Sequence, residues 1–255
     1  MNCRVPVSPR ILAAAMLAVL PAGLAADEPI TPDGSSSVTQ MPGQIPQSHP
    51  SQFSNEMSSL VKVGHSVVYE SAKEVKPLAV GEMVPVAAMI KQADGEAITL
   101  GEALGGKKSV VIFYRGGWCP YCNAHLAELA KIQPQLTAGG VQLLALSPDS
   151  PETSAKHAEE RPLPYRLLSD NKHEAMKAFG IAFRMDDATV ERYKGYGIDL
   201  SAASGNEDKV LPVPAVFVVN EEGIIEYAHA NADYTVRMKG EEILAAAGVE
   251  VTGAE

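Results

Sequence analysis

The chain has 255 residues, 46% of them hydrophobic, which is ample for one core of ordinary size. Its net charge of −10 argues against nucleic acid as a partner and favours small or neutral substrates. An acidic balance names no function by itself, and the aromatic content is low, with Trp118 the single tryptophan.

The first residues read as a secretory signal. Arg4 and Arg10 supply a positive region, residues 11–20 a short apolar core, and Pro21-Ala22-Gly23-Leu24-Ala25 a small-residue cleavage region. Cleavage is expected after Ala25, which makes residues 1–25 a signal peptide and the product exported and periplasmic in type. The apolar stretch is much shorter than the roughly 20 residues of a membrane span. No membrane contact is therefore expected after cleavage, an uncleaved anchor being the alternative. Loss of the signal removes Cys3 and leaves Cys119 and Cys122 as the only cysteines. An exported chain with one such pair is not a disulfide scaffold.

Residues 26–50 are rich in Pro, Ser, Gly and Gln and read as a flexible linker. Residues 51–76 carry Phe53, Met57, Leu60, Val61, Val67 and Val68 at roughly helical spacing, interrupted at Gly64, and read as a helical N-terminal extension. The main domain is expected over 77–255. A strand at 84–90 leads to a turn at Asp94-Gly95, and Thr99 caps a short helix ending near Gly105-Gly106. A strand at 109–114 precedes the cysteine pair and a helix follows it. Then come a buried parallel strand at 141–146, a helix at 150–160, a strand at 165–168 and a helix at 172–179 ending at Gly180. Residues 181–211 are long for a connection and read either as a cover over the cysteines or as a solvated excursion. Strands at 215–219 and 224–227 and a helix at 236–247 close the chain. This order predicts an α/β sheet with helices on both faces.

Cys119-Pro120-Tyr121-Cys122 sits where a strand turns into a helix, with Leu126, Leu129 and Ile132 at helical spacing behind it. The first turn of a helix offers free N–H groups and the positive end of the dipole, and both favour a thiolate. Cysteines three positions apart share a face and can close a short disulfide. On these grounds Cys119, at the exposed helix mouth, is the first nucleophile, and Cys122, a turn deeper, resolves the mixed disulfide. Arg115 and His125 are close enough in sequence to donate to a thiolate or leaving group, or else are a solvated Arg and a helix-surface His. Cys119, Cys122 and His125 lack a fourth ligand and a second knuckle for structural zinc, so no metal and no cofactor is expected.

Trp118-Cys119-Pro120-Tyr121-Cys122 in this element order resembles the thioredoxin superfamily, and Val213-Pro214-Ala215-Val216-Phe217 is similar to that superfamily's cis-proline entry to its late strands. The resemblance implies an α/β thioredoxin-like fold, a central mixed sheet flanked by helices, in which Pro214 faces the cysteines, with Trp118, Pro120 and Tyr121 as supporting residues. A narrower resemblance runs from about Leu78 to Ala246. Leu78-Ala79-Val80-Gly81-Glu82-Met83-Val84-Pro85, Val111-Ile112-Phe113-Tyr114-Arg115, Leu144-Ala145-Leu146-Ser147, Leu167-Leu168-Ser169-Asp170 and Phe179-Gly180 resemble the alkyl hydroperoxide reductase/thiol-specific antioxidant family, the peroxiredoxins. In that family's Pro-x-x-x-Thr/Ser-x-x-Cys register the proline is Arg115, the threonine Cys119 and the peroxidatic cysteine Cys122, while His125 stands where an acidic residue is common. The family's arginine before the late strand is not evident at Leu211-Pro212-Val213-Pro214.

The resemblance implies a thiol-dependent oxidoreductase that reduces hydroperoxides through Cys119 and Cys122 with electrons from a thioredoxin-like donor. A thiol:disulfide reductase acting on protein disulfides is the alternative. A non-catalytic thioredoxin-fold binding module is a third reading, against which the intact pair and Pro214 argue.

Overall fold

The computed structural model describes residues 67–250. The expected signal peptide, the linker and residues 51–66 of the extension lie outside the described residues.

A seven-stranded mixed sheet carries the domain, in the order β2-β1-β5-β4-β3-β8-β9. β1 (Met89–Lys91) and β2 (Ala97–Thr99) form an antiparallel hairpin, and β1 also pairs antiparallel with β5 (Arg166–Ser169). β3 (Ser109–Phe113), β4 (Gln142–Ser147) and β5 run parallel, while β8 (Ala215–Val219) lies antiparallel between β3 and β9 (Ile225–Ala230). Every residue of β3 and of β8 is buried, as continuous apolar runs in a sheet covered on both faces require.

The period of two divides β3 between two cores. Val111 and Phe113 join Leu100, Met176, Phe179 and Phe217, whereas Val110, Ile112 and Tyr114 join Leu126, Leu129, Leu136, Ile243 and Leu244. The first face is covered by α1 (Leu100–Leu104) and α4 (Glu174–Ala178); the second by α2 (Pro120–Ala138) and α7 (Gly240–Ala246). α3 (Pro151–Glu160) lies between β4 and β5 in the chain. Thr99 and Glu102 close a capping box on α1, and Gly105 ends it in the left-handed region. α2 buries Cys122, Leu126, Leu129 and Leu136, one stripe of a 3.6-residue period. Truncating a wholly buried leucine of this kind, such as Leu129, costs about 2–5 kcal/mol.

Four expectations change. Residues 67–76 contain no helix. Tyr69 instead bridges to Phe183, donating its N–H to the Ala182 carbonyl and accepting from the Arg184 N–H, so its backbone groups are met by an edge rather than by a helical turn. The strand expected at 84–90 shrinks to β1, because local turns follow Pro85, with Ala88 N–H donating to its carbonyl. Residues 181–211 are ordered structure: β6 (Ala182–Arg184) pairs with β7 (Val210–Pro212), and α5 (Asp187–Gly195) and α6 (Leu200–Ser204) lie between them. No cis peptide bond occurs among the described residues, so Pro214 is trans. The chain runs directly from β7 into β8, with Val213 N–H donating to Ile181 O and Pro214 O accepting from Asn231 N–H.

Candidate active site at the head of helix α2

Between β3 and α2 the chain turns through Arg115, Gly116, Gly117 and Trp118. Gly116 has φ +142°, and a Cβ there would lie 2.7 Å from Asp149 Oδ1. A Cβ on Gly117 would lie 2.9 Å from His157 Cγ. The two glycines thus let the loop settle on Asp149 and His157. Gly117 N–H donates to Asp149 Oδ2 at 2.7 Å, and Asn123 Nδ2 donates to Gly117 O at 2.8 Å. Cys119 is the extended N-cap of α2 and Pro120 opens the helix with its φ already set.

Both cysteines are thiols and both are 1% exposed. The expectation of an exposed Cys119 at the helix mouth is therefore corrected: side chains from distant segments close over it. The hydrogen bond from the Cys122 thiol, then the Cys122 backbone N–H and the charges of Arg115 and Arg237, pull Cys119 down to about 6 against the opposing effect of burial. The same hydrogen bond, with burial and the neighbouring thiolate, pushes Cys122 up. Both directions favour the thiolate on Cys119 over the thiolate on Cys122.

Arg237 was not legible as a site residue. It lies on the loop between β9 and α7, where a helix was expected from residue 236, and its Nη2 donates to Cys122 Sγ at 3.5 Å. A guanidinium therefore reaches the sulfurs from the loop after β9, not from the stretch before β8. Arg115 is buried rather than solvated. Its guanidinium lies 5.1 Å from the Trp118 ring, 5.5 Å from Tyr193 and 4.1 Å from Tyr234, and it donates to the Tyr193 hydroxyl. Tyr193 belongs to α5, and Tyr234 to the same loop as Arg237. Tyr121 is half exposed and meets Tyr234 edge to face, with centroids 5.8 Å apart.

His125 is also buried rather than on the helix surface, and burial, then Arg237, pushes it down to about 4, so it is neutral near pH 7. Its Nε2 has no hydrogen-bond partner. It lines a small, shallow cleft with Phe113, Pro214, His229, Arg237 and Met238. Pro214 thus reaches the site's margin in trans. On the far side of the loop, burial pushes Asp149 up to about 6, and its Oδ1, the Tyr114 hydroxyl and both His157 ring nitrogens lack partners. The glycine pair before Trp118 was the sequence sign of this close contact. Among the described residues no cluster of three or more His, Cys, Asp or Glu is placed to hold a metal.

The model of the AhpC/TSA family matches residues 80–228. Peroxiredoxin Bcp of Escherichia coli is 32% identical over 107 residues, which cover 42% of this chain and 67% of that protein. A putative peroxiredoxin of Mycobacterium tuberculosis is 27% identical over 155 residues, 61% of this chain and 87% of its own length. Two solved structures share the fold. Peroxidoxin BcpB from Mycobacterium tuberculosis superposes with a TM-score of 0.51 at 18% identity, covering 67% of this chain and 97% of its own. Reduced Prx3 of Vibrio vulnificus in complex with H2O2 gives 0.53 at 21% identity, covering 67% and 98%.

Proposed function

This chain belongs to the AhpC/TSA family, and from that footing we propose that it reduces hydroperoxides through a Cys119/Cys122 dithiol that a thioredoxin-like donor resets. It is a peroxiredoxin-like thiol peroxidase. The observation that carries the dithiol reading is the pair itself, two buried cysteines with Arg237 donating to Cys122 Sγ and the charges of Arg115 and Arg237 favouring a thiolate on Cys119.

In the first step the Cys119 thiolate attacks the terminal oxygen of the hydroperoxide. An S–O bond forms, the O–O bond breaks, and the alkoxide or hydroxide leaves with the electron pair and takes a proton. Arg115 and Arg237 face the charge that develops on the leaving oxygen. Cys122 then attacks the sulfenic sulfur, the S–S bond forms and water departs. A donor dithiol returns the two electrons and becomes a disulfide itself.

A second assignment has one observation in its favour. Arg237 donates to Cys122, which is also the peroxidatic position in the family register, so the roles of the two sulfurs would be reversed. Cys119→Ser and Cys122→Ser, each given one equivalent of peroxide and a sulfenic-acid probe, separate the two. Label on Cys122→Ser alone supports attack by Cys119, and label on Cys119→Ser alone supports the reverse. Wild-type protein that reacts with peroxide no faster than free cysteine would remove the peroxidase reading. We also propose export, on the strength of Arg4, Arg10, the apolar run and Ala25. N-terminal sequencing of protein from its host tests that, and an intact Met1 rejects it.

A further inference from the structure

We propose that Trp118, Tyr193 and Tyr234, gathered on the Arg115 guanidinium, form a size-selective cover that admits small hydroperoxides to the reduced dithiol and excludes the disulfides of folded proteins. The peroxide half rests on the function proposed above; the exclusion rests on geometry alone.

Thiol–disulfide exchange requires the attacking sulfur to reach a disulfide sulfur directly, so a protein substrate needs that sulfur at the surface. Here both cysteines are 1% exposed. The closure comes from two sides. On one, α5 is fixed by a small core of Met185, Val190, Leu200 and Leu211, against which Trp118 and Tyr193 pack. On the other, the loop behind β9 brings Tyr234 onto Tyr121 and Arg237 onto Cys122. Arg115 joins the two sides. It is 3% exposed and has no carboxylate partner among the described residues. Its charge is met by three aromatic faces and by the thiolate, and a buried cation held in that way draws the rings together.

What remains is a cleft of about the size of one water molecule, lined by His125, His229 and Arg237, and Arg237 in turn donates to Cys122. Hydrogen peroxide, with two heavy atoms, approaches that size; a protein loop does not. A protein-sized reductant must therefore wait for the Tyr234 loop to lift.

The test compares reagents of one chemistry and different bulk on the reduced full-length protein: N-ethylmaleimide and a polymer-linked maleimide. The large reagent should be slower on wild type by at least about 100-fold, and this ratio should fall at least about tenfold in Tyr193→Ala/Tyr234→Ala. Insulin reduction by that variant should rise by at least about tenfold. Should the double variant not fold, Tyr234→Ala alone, on an exposed loop residue, carries the same comparison. Equal rates for the two reagents on wild type, or an unchanged ratio in a folded variant, overturn the cover. A collapsed ratio in a protein that never consumes peroxide leaves the cover standing and rejects the peroxidase reading.

Discussion

Arg237 sets its Nη2 3.5 Å from the sulfur of Cys122, a residue 115 positions earlier in the chain. The guanidinium serves a site built on β3 and α2 from the loop before the last helix. Arg237→Met keeps most of the bulk and removes the donor. The second-order rate with peroxide should fall about 100-fold, as for loss of one donor to a developing oxyanion, with the circular dichroism spectrum unchanged. Arg237→Lys should recover part of the loss. A methionine variant within about threefold of wild type would show that this contact does not carry the reacting charge.

The lowering of Cys119 has a pH signature. Alkylation of reduced wild type by iodoacetamide should reach half its plateau rate near pH 6, because Cys119 is pulled down to about that value. Below it the thiol keeps its proton and reacts slowly. Cys122→Ala removes the hydrogen-bond donor that contributes most, so its midpoint should move upward. A wild-type midpoint in the ordinary cysteine range would mean that neither sulfur is activated.

Asp149 should weaken the fold as pH rises. Its carboxyl is pushed up to about 6 in the folded protein from an ordinary value of 3.8, chiefly by burial. Between those values the folded state binds more protons than the unfolded state, so stability falls as pH rises through the window and the full cost, about 2–3 kcal/mol, is present above it. His125 acts in the opposite sense: lowered to about 4, it costs stability as pH falls from 6.5. Asp149→Asn can still accept from Gly117 and isolates the first effect. The stability of the variant relative to wild type, from urea titrations, should increase between about pH 4 and 6. A pH-independent difference would show that Asp149 is ionised at no cost.

Gly180 has φ +71°, and a Cβ built on it would lie 2.0 Å from the Lys76 carbonyl oxygen. Lys76 N–H donates to Gly180 O, so residue 180 holds the segment entering the domain. Gly180→Ala should cost about 2–4 kcal/mol through strained backbone and the parting of these two chains. A change under about 0.5 kcal/mol in chemical denaturation would show that the entry segment yields freely.

The sheet and its helices were legible because their signals are local. The apolar runs at β3, β4 and β8, the Thr99 cap and the helical stripe on α2 each depend on a few neighbouring residues. Cys119 and Cys122 were legible for the same reason. Their surroundings were not. Tyr193 and Tyr234 stand in polar stretches with no apolar period, and only the tertiary fold brings them to Arg115. The same holds for Arg237, whose stretch reads as the start of a helix. Its true loop is set by Asn231 and Asp233, whose side chains accept from the N–H groups of Asp233 and Thr235. The trans bond at Pro214 shows the limit of family likeness, since a proline before a strand has one spelling for two isomers.

The placement of Tyr234 and Arg237 also fixes an order of events during synthesis. The sheet's centre, β3 and β4, is complete about ninety residues before the loop that closes over the sulfurs is made, and β8 and β9 must pair before that loop has an anchor. Until that loop emerges, the nascent chain lacks the closure that Tyr234 and Arg237 supply, and its thiols are open to any oxidant or partner thiol they meet. Selectivity is thus acquired only once the segment after β9 has been made and has folded onto the site.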